Sequence, residues 1–153
     1  MWKYVSVLSI LVLVGLSASA QQSQKPAADK PSGEFKIPPE AAAQTNPVKP
    51  SPESIAQGKK VYRFDCAMCH GEDGDGKGDL AVEMKLKIAD YRDPASLKDT
   101  TDGELFYIIQ KGKGDNMPPE GDRAKTDGIW NLVNYVRSFA KKGASPPEKP
   151  PSP

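Results

Sequence analysis

One short stretch, residues 66–70 with the sequence Cys-Ala-Met-Cys-His, constrains this chain more than any other feature. It holds both cysteines and the single histidine of the 153 residues. The Cys-x-x-Cys-His spacing is typical of covalent c-type haem attachment, in which two thiols bond the porphyrin and the imidazole ligates the iron. On a helix, Cys66 and Cys69 project to one side, and His70 follows Cys66 at i+4. The stretch therefore predicts a covalently bound haem held by Cys66, Cys69 and His70.

Three other chemistries use closely spaced cysteines. A structural zinc site takes four Cys or His ligands, normally from two separated pairs, and the sequence has no second pair. A thioredoxin-like redox pair is expected after a strand in a βαβ unit, whereas the flanks here have helical spacing. A disulfide between Cys66 and Cys69 is awkward across a short helical span and leaves His70 without a role. The pattern favours haem over all three.

Residues 1–20 have the features of a secretory signal peptide. Lys3 gives a positive start, residues 5–16 are almost continuously apolar, and residues 18–20 (Ala-Ser-Ala) fit the small-x-small cleavage pattern. The alternative is an uncleaved membrane anchor, which needs about 20 apolar residues, more than this run supplies. We therefore expect a periplasmic protein with no stable membrane span after cleavage.

Proline-rich segments flank the rest of the sequence. Most of the 15 prolines fall in residues 21–52 and 144–153, and apolar residues make up 37% of the chain, against about 45–50% in an average globular domain. Residues 21–50 contain few large apolar groups, so burial cannot offset the entropy of ordering them. We predict a disordered linker over 21–50, or alternatively a tether that swings the domain between partners, followed by a folded domain over 51–143 and a disordered tail over 144–153.

The folded domain is predicted to open with a capped helix that delivers Cys66 to the core. Ser51 is the N-cap, Pro52 takes the first helical position and Glu53 is favourable near the positive helix end. Gly58 is costly inside a helix. It indicates either the close approach of another helix or a position tolerated near the helix start.

A glycine-rich acidic loop follows His70 over residues 71–79. We predict a tight surface turn beside the haem, because glycine permits left-handed dihedral angles. A calcium loop is the alternative, but the terminal bidentate glutamate is missing and Lys77 occupies a ligand position. Residues 80–88 have weak helical periodicity, in which Met84 is expected to pack and is only the second choice as an iron ligand.

The C-terminal half of the domain is predicted to contain three more helices. Asp93 caps a short helix through Leu97. A capping box at residues 101–104 opens a second helix that ends before Gly112. The last helix, from about Thr126 to Lys141, carries an apolar stripe and should pack on the first helix. Its Trp130 is expected in the core, with a hydrogen bond to a haem propionate as the alternative.

Met117 lies in a loop rich in glycine and proline, residues 112–119, where no helical face is available for packing. A thioether sulfur ligates haem iron opposite histidine and raises the reduction potential. Pro118 fixes its own dihedral angle and biases Met117 towards an extended conformation. The alternative is a buried gap-filler. Beside a haem motif in a chain with one histidine, Met117 is the predicted second axial ligand.

These pieces together resemble the bacterial class I monohaem c-type cytochromes. The resemblance covers residues 53–142 and rests on four stretches, residues 58–62 (Gly-Lys-Lys-Val-Tyr), 66–71, 112–118 and 129–136. It implies an all-α fold, a cytochrome c-like bundle of about four to five short helices wrapped around one covalently attached haem. The first and last helices are expected to cross near Gly58 and Tyr135. Many relatives carry a proline soon after the motif whose carbonyl holds the proximal histidine, and this chain has none before Pro94.

The resemblance also implies a function. It implies His70 and Met117 as axial ligands and single-electron transfer in the periplasm, so we expect an electron carrier and not an enzyme, with redox proteins as donor and acceptor. The alternatives are a haem-bearing subunit of a larger periplasmic dehydrogenase or oxidase, and a haem catalyst or sensor with an open sixth position. The net charge of +1 does not suggest the basic face that nucleic acid binding usually requires.

Overall fold

The computed structural model of the chain describes residues 35–143, so the predicted signal peptide and tail lie outside the described residues. Within this range no β-strand occurs, and an isolated bridge joins Lys113 to Met117. The predicted all-α fold is confirmed. The helices are α1 (Pro39–Ala42), α2 (Pro52–Asp65), α3 (Ala67–His70), α4 (Asp79–Glu83), a 3₁₀ helix (Pro94–Leu97), α5 (Asp102–Lys111) and α6 (Thr126–Gly143). Each helix between residues 35 and 143 is too short or too polar to cross a bilayer.

Local capping signals set the helix boundaries where the sequence predicts them. The Ser51 hydroxyl accepts a hydrogen bond from the Ser54 N–H at 3.2 Å, and Pro52 begins α2. At the start of α5, the Thr101 hydroxyl accepts from the Glu104 N–H at 3.1 Å and the Glu104 carboxylate accepts from the Thr101 N–H at 2.7 Å. These reciprocal bonds satisfy donors that a helix start otherwise leaves unpaired.

The crossing of α2 and α6 is the main packing contact of the domain. A Cβ built on Gly58 would lie 2.2 Å from the Asn131 carbonyl oxygen and 2.8 Å from Tyr135 Cβ, so only glycine lets the two backbones approach this closely. The close-approach interpretation of Gly58 is therefore confirmed, as is the crossing near Gly58 and Tyr135. Next to it, Tyr62 packs edge-on against Tyr135, with ring centroids 5.2 Å apart.

A second aromatic contact joins α5 to α6. Trp130 is buried, and its ring stacks on Phe106 at 4.1 Å between centroids. Trp130 is therefore a core residue, as expected. Buried side chains of α5 and α6 complete the core, including Leu105, Ile109, Ile129, Leu132, Val133 and Val136.

Residues 35–50 differ from the predicted disordered linker, because the structure packs them against the folded domain. The Asn46 side chain donates to the Trp130 carbonyl at 3.2 Å and to the Asn134 side chain at 2.9 Å. Asn134 in turn donates to the Val48 carbonyl at 3.0 Å. The composition of residues 35–50 gives no sign of these few specific hydrogen bonds. The predicted start of the folded domain, at residue 51, is therefore too late in the sequence. The rest of the predicted linker lies outside the described residues.

Met84 also differs from its prediction. The expected packing role is wrong, since the residue is 50% exposed. The physical reason is that α4 ends at Glu83, so the weak helical periodicity does not continue to Met84. Lys85 then takes a positive φ of 54°, which turns the chain away from a helical path.

Candidate haem site

A single cavity brings together the four predicted site residues. Its volume is about 580 Å³, and its walls include Cys66, Cys69, His70 and Met117. A volume of this size is within the range of about 300–1,000 Å³ that holds cofactors and other small molecules. Met84 does not line it. Much of the remaining wall is apolar, including Leu86, Ile88, Leu97, Leu105 and Ile108.

Consecutive backbone hydrogen bonds place the two cysteines and the histidine. Cys66 directly follows α2 as its C-cap, and its N–H donates to the Tyr62 carbonyl at 2.9 Å. Its own carbonyl accepts from Cys69 at 3.1 Å and from His70 at 2.9 Å. Cys66 is thus the N-cap of the separate one-turn helix α3, which carries Cys69 and His70. The helical spacing that puts the three groups on one side is preserved.

Both cysteines are free thiols and only partly exposed. Burial, reinforced by the nearby Glu120 carboxylate, raises the pKa of Cys66 to about 12. The thiol form is therefore favoured at neutral pH. Because no disulfide joins Cys66 to Cys69, both sulfur atoms are available to attach a cofactor.

The glycine-rich loop after the motif closes under α3. The Tyr62 hydroxyl donates to the Gly71 carbonyl at 2.8 Å, and the Gly76 N–H donates to the His70 carbonyl at 2.9 Å. Gly76 has a φ of 73°, and a Cβ there would lie 2.5 Å from the Ile88 carbonyl oxygen. These contacts agree with the predicted tight turn.

The imidazole of His70 is held in an unusual way. Its Nδ1 is buried and has no hydrogen-bond partner within the described residues. Its ring stacks on Tyr91, with centroids 5.1 Å apart and planes inclined by 17°. Burial lowers the pKa of His70, so the ring is neutral at pH 7 and has a lone pair for a metal. The sequence contained no local signal that pointed to Tyr91.

Met117 reaches the cavity from the methionine loop, which we define as residues 112–121. The Lys113 N–H donates to the Met117 carbonyl at 2.9 Å and narrows the loop. The backbone N–H of Glu120 donates to the Ile109 carbonyl at 2.9 Å, and the N–H of Gly121 donates to the Gln110 carbonyl at 3.0 Å. These two bonds hold the loop against the end of α5. The Met117 side chain is partly buried against the core.

Arg137 of α6 fixes another wall of the cavity. Its guanidinium donates to the Asp102 carboxylate at 2.9 Å, to the Leu97 carbonyl at 2.8 Å and to the Thr100 carbonyl. Leu97 and Thr100 both line the cavity. No local sequence signal indicates this role of Arg137, because its partners lie far away along the chain.

The donor set suits haem better than a closed zinc site. Two thiols at i and i+3, a neutral imidazole directly after them and a thioether on a separate loop share one largely apolar cavity. Thiolate, imidazole and thioether are all known haem ligands, and an apolar surround suits a macrocycle. A closed tetrahedral zinc site would have no use for such a wide apolar wall.

Comparison with known proteins gives the same result. The family described as "Cytochrome C oxidase, cbb3-type, subunit III" matches residues 53–136. This chain belongs to the c-type cytochrome family. Cytochrome c6 of Diacronema lutheri is 31% identical over 88 residues, which covers 56% of this chain and 96% of that protein. Cytochrome c6 of Cladophora glomerata is 32% identical over 87 residues, which covers 55% and 87% respectively.

A solved structure is similar in fold as well. It is the reducing HAO-like protein complex of Kuenenia stuttgartiensis, with 27% identity and a TM-score of 0.54. The match covers 61% of this c-type cytochrome and 46% of that chain, so this protein spans about half the length of that relative. Members of the family are electron-transfer proteins with a covalently attached haem c. Cys66 and Cys69 of this cytochrome fit that attachment.

Proposed function

We propose that this cytochrome is a periplasmic single-electron carrier whose covalently attached haem is ligated by His70 and Met117. One observation supports the proposal most strongly. The cavity of about 580 Å³ brings the loop residue Met117 to the same space as Cys66, Cys69 and His70, although 47 residues separate Met117 from His70 in the numbering.

Each side chain has a separate role in this proposal. Cys66 and Cys69 hold the porphyrin through their sulfur atoms. His70 ligates through Nε2, because its Nδ1 is closed off from solvent and therefore from the open cavity. Met117 supplies a neutral thioether, which favours the reduced state and raises the potential.

The chain's own residues determine how the site works. When bound, the haem iron supplies one-electron oxidation and reduction. His70 and Met117 would both hold the iron, so no substrate would need a binding position on it. The apolar part of the wall, which includes Leu105 and Ile108, suits an apolar macrocycle. Tight backbone ties on both sides, at His70 and at Met117, keep the ligands in place through oxidation and reduction.

The periplasmic location is proposed on the features of residues 1–20. Positive charge, an apolar run and a small-x-small site are together typical of an export signal. N-terminal sequencing of the protein from a periplasmic extract should begin at Gln21. A mature protein that still begins at Met1 would contradict cleavage and favour the anchor.

A second candidate is a haem-bearing subunit of a larger redox enzyme. It is favoured by the description of the matching family as an oxidase subunit and by the similar structure, which comes from a protein complex. Size-exclusion chromatography of the native extract distinguishes the two. A free carrier elutes near the mass of a single chain, whereas a subunit elutes with a large partner.

The substitution Met117→Ala tests the proposed ligation. We expect haem to remain attached, the weak methionine-to-iron absorption band to disappear and the reduction potential to fall. Met84→Ala is the matched control, since Met84 is half exposed and outside the cavity. An unchanged spectrum in Met117→Ala would contradict the proposed ligation by Met117. A wild-type protein that binds carbon monoxide readily would favour the catalyst or sensor with an open sixth position.

A further inference from the structure

His70 lacks the hydrogen bond that usually orients a metal-binding histidine. Such a residue almost always donates its second ring N–H to a carboxylate, a backbone carbonyl or water, which fixes the ring and raises its basicity as a ligand. Within the described residues, Nδ1 of His70 is the buried side-chain nitrogen or oxygen atom that has no partner. The chain also lacks a proline between the motif and Pro94. Some other group must therefore orient the imidazole.

Tyr91 is in position to do so. Its ring is nearly parallel to the His70 ring, at 17°, with the centroids 5.1 Å apart. Tyr91 and His70 line the same cavity. Burial raises the pKa of Tyr91 to about 12, so the phenol is neutral and puts no charge beside the histidine.

The backbone around Tyr91 is fastened on both sides. The Tyr91 N–H donates to the Gly74 carbonyl at 2.7 Å, which ties it to the loop after the motif. The Ser96 hydroxyl donates to the Asp90 carbonyl at 2.6 Å. The Arg92 guanidinium donates to the Asp90 carboxylate at 2.9 Å and 2.7 Å. Because these hydrogen bonds fix the segment, the Tyr91 ring can keep the stacked His70 ring in one orientation.

We propose that Tyr91 is the positioning residue of His70, with its ring face fixing the imidazole plane and shielding Nδ1 from water where relatives use a hydrogen-bond acceptor. The proposal rests on the proposed ligation by His70. It has a consequence for the potential. An imidazole that donates no hydrogen bond at Nδ1 is a weaker electron donor to iron than one that does, so the shielding favours the reduced state.

The test compares substitutions in the exported, haem-loaded protein. Tyr91→Ala removes the ring, so water can reach Nδ1 and accept its proton; we expect a lower reduction potential and altered g values in the ferric electron paramagnetic resonance spectrum. Tyr91→Phe keeps the ring face and should retain the wild-type values. Tyr107→Ala is the matched control, because Tyr107 pairs with Phe35 at 6.2 Å and does not line the cavity.

Two results of this comparison would overturn the proposal. In one, Tyr91→Ala has the potential and g values of the wild type. In the other, Tyr91→Phe changes them as much as Tyr91→Ala, which assigns the effect to the hydroxyl group. Failure of the proposed function would look different, because the wild-type protein itself would then lack attached haem or the methionine band.

A second measurement needs no variant and so does not depend on folding of Tyr91→Ala. In the reduced, diamagnetic wild-type protein, nuclear magnetic resonance of ¹⁵N-labelled histidine reports the Nδ1–H group. We expect slow exchange with solvent and a proton shift without the downfield displacement of a strong hydrogen bond. A strongly downfield signal, or exchange as fast as in an open histidine, would contradict the shielding by Tyr91.

Discussion

The two sides of the cavity are built in different ways. On the motif side, which we define as residues 62–78, hydrogen bonds join residues that are close in sequence, as in the donation from His70 to the Cys66 carbonyl. The methionine loop is narrowed by the bond from Lys113 to Met117 and is tied by two bonds to the end of α5. The motif side is therefore continuous with the helical core, whereas the methionine loop is buried at its Glu120 end and open at Gly114.

The motif side is also less exposed to solvent than the tip of the methionine loop. Tyr62 of the motif side is 1% exposed and donates to the Gly71 carbonyl inside the core. In the methionine loop, a Cβ on Gly114 would have no heavy atom within 4 Å apart from its neighbours in the chain, so this position is open to solvent. Changes on the motif side should therefore affect attachment of the haem or global stability. Changes in the loop should affect the second ligand while the haem stays bound.

The largest effect is expected from removal of both attachment thiols. The double substitution Cys66→Ala and Cys69→Ala should abolish covalent haem, because no other cysteine exists in the chain. After denaturing electrophoresis, haem staining of the protein band should be lost. Met68→Ala is the matched control, since Met68 lies between the two cysteines and is 60% exposed. Haem that stays with the double variant through denaturation would refute the attachment.

A smaller effect is expected at the helix crossing behind the motif side. Gly58→Ala forces a Cβ against the backbone of Asn131. Such overpacking costs about 1–3 kcal/mol, while the better helix propensity of alanine returns up to about 1 kcal/mol. We expect the free energy of unfolding in denaturant to fall by about 1–2 kcal/mol.

A second glycine of the same helix pair provides the control for this prediction. A Cβ on Gly128 of α6 would lie 3.8 Å from Ala124 Cβ, an ordinary contact. Gly128→Ala should leave stability unchanged or raise it by up to about 1 kcal/mol. Equal effects of the two substitutions would show that close approach at Gly58 is not what matters.

The smallest effect is expected in the methionine loop, from two glycines with a positive φ. Gly112 and Gly114 have φ of 75° and 62°, so alanine at either position introduces backbone strain of at least about 1 kcal/mol. A Cβ on Gly112 would also lie 2.4 Å from the Met117 carbonyl oxygen. In a thermal titration, the methionine-to-iron band should therefore be lost at a lower temperature in Gly112→Ala than in Gly114→Ala. If both variants lose the band together, strain alone accounts for the effect.

Much of this arrangement could be predicted from sequence because its signals are local. Ser51 caps α2, the pair Thr101 and Glu104 caps α5, and Gly112 follows the end of α5, each at the expected residue. The spacing of Cys66, Cys69 and His70 within five residues is enough to predict that they lie together. Met117 stood out because a methionine between glycines and prolines has no helical face on which to pack.

The remainder depends on partners that are distant along the chain. Nothing next to Asn46 indicates its bonds to Asn134 and to the Trp130 carbonyl, so residues 35–50 could not be separated from the predicted linker. The bond from Arg137 to the Leu97 carbonyl also joins residues that are far apart in the sequence, so no local pattern predicts it. Tyr91 lies in a segment with no regular periodicity, and only the folded structure brings its ring onto His70.

The visible spectrum of the exported protein, recorded in oxidised and reduced forms, is the most direct test of the covalently attached haem and its methionine ligand. The protein must come from a host able to attach c-type haem, and the spectrum must be repeated after extraction with acidified acetone. We expect the haem absorption to stay with the protein and the oxidised form to have the weak band of a methionine–iron bond. A colourless protein, or haem that is removed by the extraction, would contradict this expectation.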